Sequence, residues 1–131
     1  MTTAKDVDVE SSIVGAALDY YQGWFDGDAA RMERALHPDL VKRSLAEDGS
    51  SVETISARQM VDATAEGVGK SRDPGDRRIG ARVDHVYGGI ATVTVTSAVY
   101  VDYLQLVNTH VGWKIVNVLW QRVAPVAERL G

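Results

Sequence analysis

Asp102 lies inside an apolar strand-like run, VDYLQLV, where an unpaired charge would be costly. A carboxyl group in apolar surroundings keeps its proton and can donate a hydrogen bond, so Asp102 is a candidate for chemistry rather than for solvation. His37 is the second candidate. Histidine titrates near neutral pH and is the commonest general base, although a histidine before a proline at a helix end often only bonds nearby backbone. Lys42 and Arg43 follow in HPDLVKR, and Lys70, Arg72, Arg77 and Arg78 crowd the segment 69–78. Either cluster could hold an anionic group, but Asp73 and Asp76 dilute the second, which better suits a solvated loop. Trp24 and Trp120 are large enough to wall a pocket, or simply to fill a core.

Several chemistries are excluded. The chain has no cysteine, hence no thiol nucleophile, disulfide framework or cysteine zinc site, and a reducing cytoplasm is the expected location. His37, His85 and His110 are scattered and lack metal-ligand spacing, so no structural metal and no cofactor are expected. GVGK does not match a phosphate-binding loop, and neither a dinucleotide fingerprint nor a nucleophile elbow occurs. The formal charge is −4 with no dominant basic stripe, which argues against a nucleic-acid partner. The first residues, MTTAKDVDVESS, carry no apolar signal core, and no apolar run is long enough to span a membrane.

The elements that must position these residues are legible in the spacing. The 131 residues suit a single domain with one core, residues 1–8 being polar and expected to fray. From Val9, two stripes (Ile13, Ala17, Tyr20, Trp24 and Val14, Leu18, Tyr21, Phe25) predict a helix with a broad apolar arc. Gly27 suits its end, and Asp28 is an N-cap for a short helix through Leu36, which Pro38 terminates. VKRSLAEDGSSVETI reads as a hairpin about Asp48-Gly49. Ser56 and Gln59 form a capping box opening a third helix, with Ala57, Met60, Val61, Thr64 and Val68 on its apolar side.

The rest is strand. Ile79, Ala81, Val83, His85 and Tyr87 share one face by strict alternation, which makes His85 a core or interface residue. Gly88-Gly89 turns the chain, and the run Ile90–Val107 is too long for one strand and must bend near Ser97–Val101. Gly112 marks the last hairpin, beside an exposed His110, and Trp113–Val123 is the final strand before a short tail, APVAERLG. The last two strands are apolar on both faces, so both faces should be covered. The class is α+β, with helices on one face of a sheet.

The segments YYQGWFDGDAARMERALHPDL and VDYLQLVNTHVGWKIVNVLW resemble the nuclear transport factor 2-like superfamily (SnoaL-like), most closely the subgroup named for putative lumazine binding. The resemblance covers about Val9 to Arg122. It implies a cone: three N-terminal helices on a strongly curved mixed or antiparallel sheet, with a pocket at the open end and a homodimer on the convex face. In the ketosteroid isomerases of this superfamily a helix tyrosine and a strand aspartic acid form an oxyanion hole, and a second aspartate is the base. Tyr20 and Asp102 match the first two positions, whereas the base position falls near Ser44, which is no carboxylate.

A small-molecule site at Tyr20, Trp24, His37, Arg43, Asp102 and Trp120 is therefore expected, with Asp102, Leu104, Val118 and Trp120 facing inward. Two alternatives stand beside it. One is a cofactor-independent isomerase, cyclase or dehydratase using Tyr20, His37 and Asp102. The other is an association module without ligand. The resemblance leaves Tyr103, Val107, Trp113 and Ile115 outside, as the dimer surface.

Overall fold

The computed structural model describes residues 4–123, so the tail at 124–131 lies outside the described residues. Helix α1 (Ala4–Asp26) begins five residues ahead of the Val9 start that the periodicity indicates. Gly27, at φ +68°, ends it in the left-handed region that favours glycine. Helix α2 (Ala29–Ala35) is opened by Asp28, whose side chain accepts from the Arg31 backbone N–H. It stops one residue before the expected Leu36. Strand β1 (Leu36–Leu45) follows at once and is joined to β2 (Val52–Ser56). Ser56 and Gln59 form the expected capping box at the start of α3 (Ala57–Ala65). A single 3₁₀ turn at Lys70–Arg72 precedes the last four strands: β3 (Gly80–Tyr87), β4 (Ile90–Thr96), β5 (Tyr100–Thr109) and β6 (Gly112–Arg122).

The long Ile90–Val107 run breaks where expected, without glycine or proline. The Ser97 hydroxyl does the work, accepting from the backbone N–H groups of Val99 and Tyr100. The six strands form one mixed sheet in the order β2-β1-β6-β5-β4-β3. All neighbours are antiparallel except β1 and β6, which run parallel. The three helices cover the concave face. The core joins Ile13, Ala17, Tyr20, Tyr21 and Phe25 of α1 to Met32, Met60 and the inward residues of β4, β5 and β6.

Two β-bulges decide which face each strand residue shows. In β3 the register shifts between Val83 and His85, so Asp84 is extra and the alternation inverts. Val86 packs on the core instead, while His85 and Tyr87 are exposed on the convex side, so His85 is not a core residue. In β6 the shift falls between the Gln105–Asn117 and Leu106–Ile115 pairs, which makes Val116 extra. Trp113 and Ile115 therefore face the core before the bulge, and Val118 and Trp120 face it after the bulge. Trp113 and Ile115, expected on the outer surface, are buried within the chain's own core. Tyr103 is exposed on the convex face as expected, and Val107 shares that face, half-buried.

Candidate functional site

α1 and β5 meet at Asp102, which is 2 % exposed. Two adjacent α1 tyrosines converge on its carboxylate. Tyr20 donates to Oδ2 at 2.8 Å and Tyr21 makes a very short bond to Oδ1. Consecutive helix residues normally diverge by about 100° of arc, but a single carboxylate set against the helix presents one oxygen to each. The Tyr21 hydroxyl also lies 3.3 Å from the Val95 carbonyl. Asp102 can thus be accommodated in either state. Ionised, it accepts from both phenols; protonated, it can donate to Tyr21, which then donates to Val95.

The third member is Lys42. β1 alternates, so Lys42 points inward and Arg43 outward. The Lys42 ammonium donates to the Tyr20 hydroxyl at 2.5 Å and, weakly, to Met60 Sδ at 3.6 Å. It also sits within 4.9, 5.0 and 5.7 Å of the ring centres of Tyr20, Trp120 and Trp24, an aromatic box that favours a cation. The result is a chain, Lys42–Tyr20–Asp102, in which one phenol links an amine to a carboxyl group. Burial pushes Lys42 down to about 8, against the upward pull of Asp102. Burial raises Asp102, opposed by Lys42 and the tyrosine donors. Burial and the neighbouring carboxylate both hold the Tyr20 proton firmly in place.

Above this chain is a cavity of about 130 Å³, lined by Tyr20, Tyr21, Trp24, Lys42, Ile55, Met60, Ala63, Arg72, Tyr100, Asp102 and Trp120. Its aromatic wall is braced internally. Trp24 Nε1 donates to the Tyr100 hydroxyl at 3.2 Å, and Tyr100 meets Trp120 edge-on at 5.4 Å. Arg72 reaches the lining from the 3₁₀ turn. That turn is held down by Arg77, which pairs with Asp26 and Asp73, and by Gly69 packed on the Trp24 backbone.

The expected site residues thus divide. Tyr20, Trp24, Asp102 and Trp120 come together in the cavity. His37 and Arg43 do not. His37 lies where β1 departs from its pairing with β6, between Leu36 and Val41, and Pro38 in that stretch has no N–H for a ladder. Its Nδ1 accepts from the Asp39 backbone at 3.0 Å. Arg43 is exposed on the convex face beside Tyr103 and Leu119. The expected site set left out Tyr21 and Tyr100, and also Lys42 and Arg72, which stood only as members of basic clusters able to hold an anion. Lys42 stood beside Arg43 as an anion-binding candidate, and strand parity about Leu40, a core-type residue, could have selected it. Among the described residues no group of side chains could hold a metal ion, and no helix is long and apolar enough to cross a membrane.

Three helices packed on one curved mixed sheet give a nuclear transport factor 2-like fold, and the comparisons agree. The chain belongs to the family described as "Putative lumazine-binding", whose family model matches residues 8–121. No curated protein sequence matches it. Among solved structures it resembles a nuclear transport factor 2-like protein of unknown function from Silicibacter pomeroyi. The two share 17 % identity with a TM-score of 0.68, covering 94 % of this chain and 100 % of that one. It also resembles a protein of the same class with a cystatin-like fold from Novosphingobium aromaticivorans, at 17 % identity and TM-score 0.64, covering 99 % and 97 %. A third match, to a protein from the same organism described as a putative aromatic ring hydroxylase, has 12 % identity and TM-score 0.64, covering 91 % and 92 %. At these identities the likeness establishes the fold.

Proposed function

We propose that this protein binds a small molecule in the aromatic cavity, with the Lys42–Tyr20–Asp102 chain as its polar anchor. The observation that carries this reading is the chain's position. A buried amine, phenol and carboxyl group form part of the wall of a largely aromatic cavity that Arg72 also lines, and apolar pockets with a few polar groups are typical ligand sites. The size limits the ligand. A cavity of about 150 Å³ holds one benzene ring, so about 130 Å³ suits a single-ring compound. A two-ring pteridine such as lumazine needs the cavity to widen. The tryptophans form walls rather than a plug, which speaks against a purely associative role. His37 lies outside the cavity lining, so an acid–base enzyme built on it has no support in this geometry.

The test is a screen of single-ring compounds followed by the fluorescence of Trp24 and Trp120. Compounds that perturb the fluorescence of the natural protein, and not that of Trp120→Ala, support the site. A screen in which no such compound binds overturns the reading.

We also propose that a second copy covers the convex face. Tyr87, Ile90 and Val107 lie side by side in one cross-strand row, and Tyr103 and Leu119 in another. Tyr87, Ile90, Tyr103 and Leu119 are each more than half exposed, two apolar rows flanking the polar row of Thr92, Gln105 and Asn117, and large exposed apolar groups gathered on one face favour a covering partner.

A further inference from the structure

The proposed ligand site has a definite charge, and that charge selects a class of ligand. Three charge-bearing residues other than tyrosine line the cavity among the described residues: Lys42, Asp102 and Arg72. Lys42 and Asp102 are linked through Tyr20. If the proton sits on Lys42, the pair is a cation and an anion; if it sits on Asp102, both are neutral. With one proton shared between them, the pair sums to zero wherever that proton sits. Arg72 is then the uncompensated charge, and its guanidinium makes no hydrogen bond or ion pair with the described residues. The other arginines of its loop differ: Arg77 is paired with Asp26 and Asp73, and Arg78 with Asp76.

Lys42 supplies the second observation. A lysine ammonium has three donors. One goes to Tyr20 and one weakly to Met60, so one has no conventional acceptor and faces only aromatic rings at the cavity wall, although the residue is only 7 % exposed. A carboxylate would accept that donor and complete the shell of a buried cation. We infer that the ligand is a single-ring or similarly sized monoanion, most simply an aromatic carboxylate, held by Lys42 and Arg72 with its ring against Trp24, Tyr100 and Trp120. A dianion such as a phosphate monoester would exceed the compensating charge, and a cation would find no anion beyond the one already balanced by Lys42. This inference rests on the cavity being a ligand site.

The test titrates benzoate, benzyl alcohol and benzylamine into the full chain at neutral pH, read by calorimetry and tryptophan fluorescence. Benzoate is expected to bind about tenfold or more tighter than benzyl alcohol, and benzylamine not at all, since charge-assisted hydrogen bonds are the strong ones. Arg72→Gln, a surface change, should lower benzoate affinity about fivefold or more and leave benzyl alcohol unchanged, while Arg78→Gln changes neither. Equal binding of benzoate and benzyl alcohol, or preference for benzylamine, overturns the charge inference and leaves the ligand site standing. If none of the three binds, the ligand-site reading fails and this inference with it. Lys42→Met should also weaken benzoate selectively; because it alters a buried group, Arg72→Gln carries the decision if that variant does not fold.

Discussion

The Lys42 ammonium and the Tyr20 hydroxyl lie 2.5 Å apart, and the same hydroxyl donates to Asp102 at 2.8 Å. One phenol oxygen therefore ties a strand at one side of the sheet, through helix α1, to a strand nearer its other side. It is also the only conventional hydrogen-bond partner of the Lys42 amine among the described residues. Tyr20→Phe removes that acceptor and one of the two donors to Asp102 while keeping the ring. It should cost about 1–3 kcal/mol of unfolding free energy, the price of stranding buried polar groups. Urea denaturation measures this, and a variant as stable as the natural protein would show that the chain adds nothing to the fold.

The lowered Lys42 value makes a pH dependence of unusual sign. The unfolded lysine holds its proton to about pH 10.5, whereas the folded one releases it from about 8. Between these values the unfolded state binds more protons, so stability from this group rises with pH. Below about pH 8 the full burial penalty applies. The rise is bounded at about 3 kcal/mol by the size of the shift. Chemical denaturation at pH 7.5 and 10 should show it, and Lys42→Met should abolish it.

Gly69 is required by space rather than by backbone angle. A Cβ there would run into the carbonyl and ring of Trp24. Gly69→Ala should push the 3₁₀ turn off α1, displace Arg72 and loosen the Trp24 wall. The expected loss is about 1–3 kcal/mol of stability, as for overpacking generally, with weakened ligand binding. Thermal melting and fluorescence titration read the two effects separately.

His37 is the control for the site. It lies outside the cavity, and His37→Ala should change ligand affinity by less than about twofold, as surface changes away from special features usually do. A large loss on calorimetric titration would return the histidine to the site.

The convex face gives two contrasting variants. Leu119→Glu places a charge in the exposed patch and should convert the proposed dimer to a folded monomer in sedimentation velocity. Ile115→Glu buries a charge in the core, since Ile115 is fully buried, and should unfold the chain outright. A natural protein that sediments as a monomer at tens of micromolar would refute the dimer.

What the sequence by itself determined is local. The Asp28 and Ser56 caps, the glycine turns at Gly27, Gly88 and Gly112, and the break near Ser97 each rest on a few neighbouring residues, so spacing was enough to find them. The resemblance carried by the first and last segments supplied the cone and placed Tyr20 and Asp102 together. The tertiary structure decided which way side chains point. Strand parity is exact only between bulges, and a one-residue slip reverses every later side chain. The extra residues Asp84 and Val116 did that, turning His85 outward and Trp113 and Ile115 inward. The looped-out HPD stretch of β1 likewise carried His37 away from the cavity, whereas the inward turn of Lys42 follows from local parity with the buried Leu40. Bulges depend on how two distant strands pair, and the parallel pairing of β1 with β6 joins chain segments more than seventy residues apart. Nothing in either strand alone encodes it.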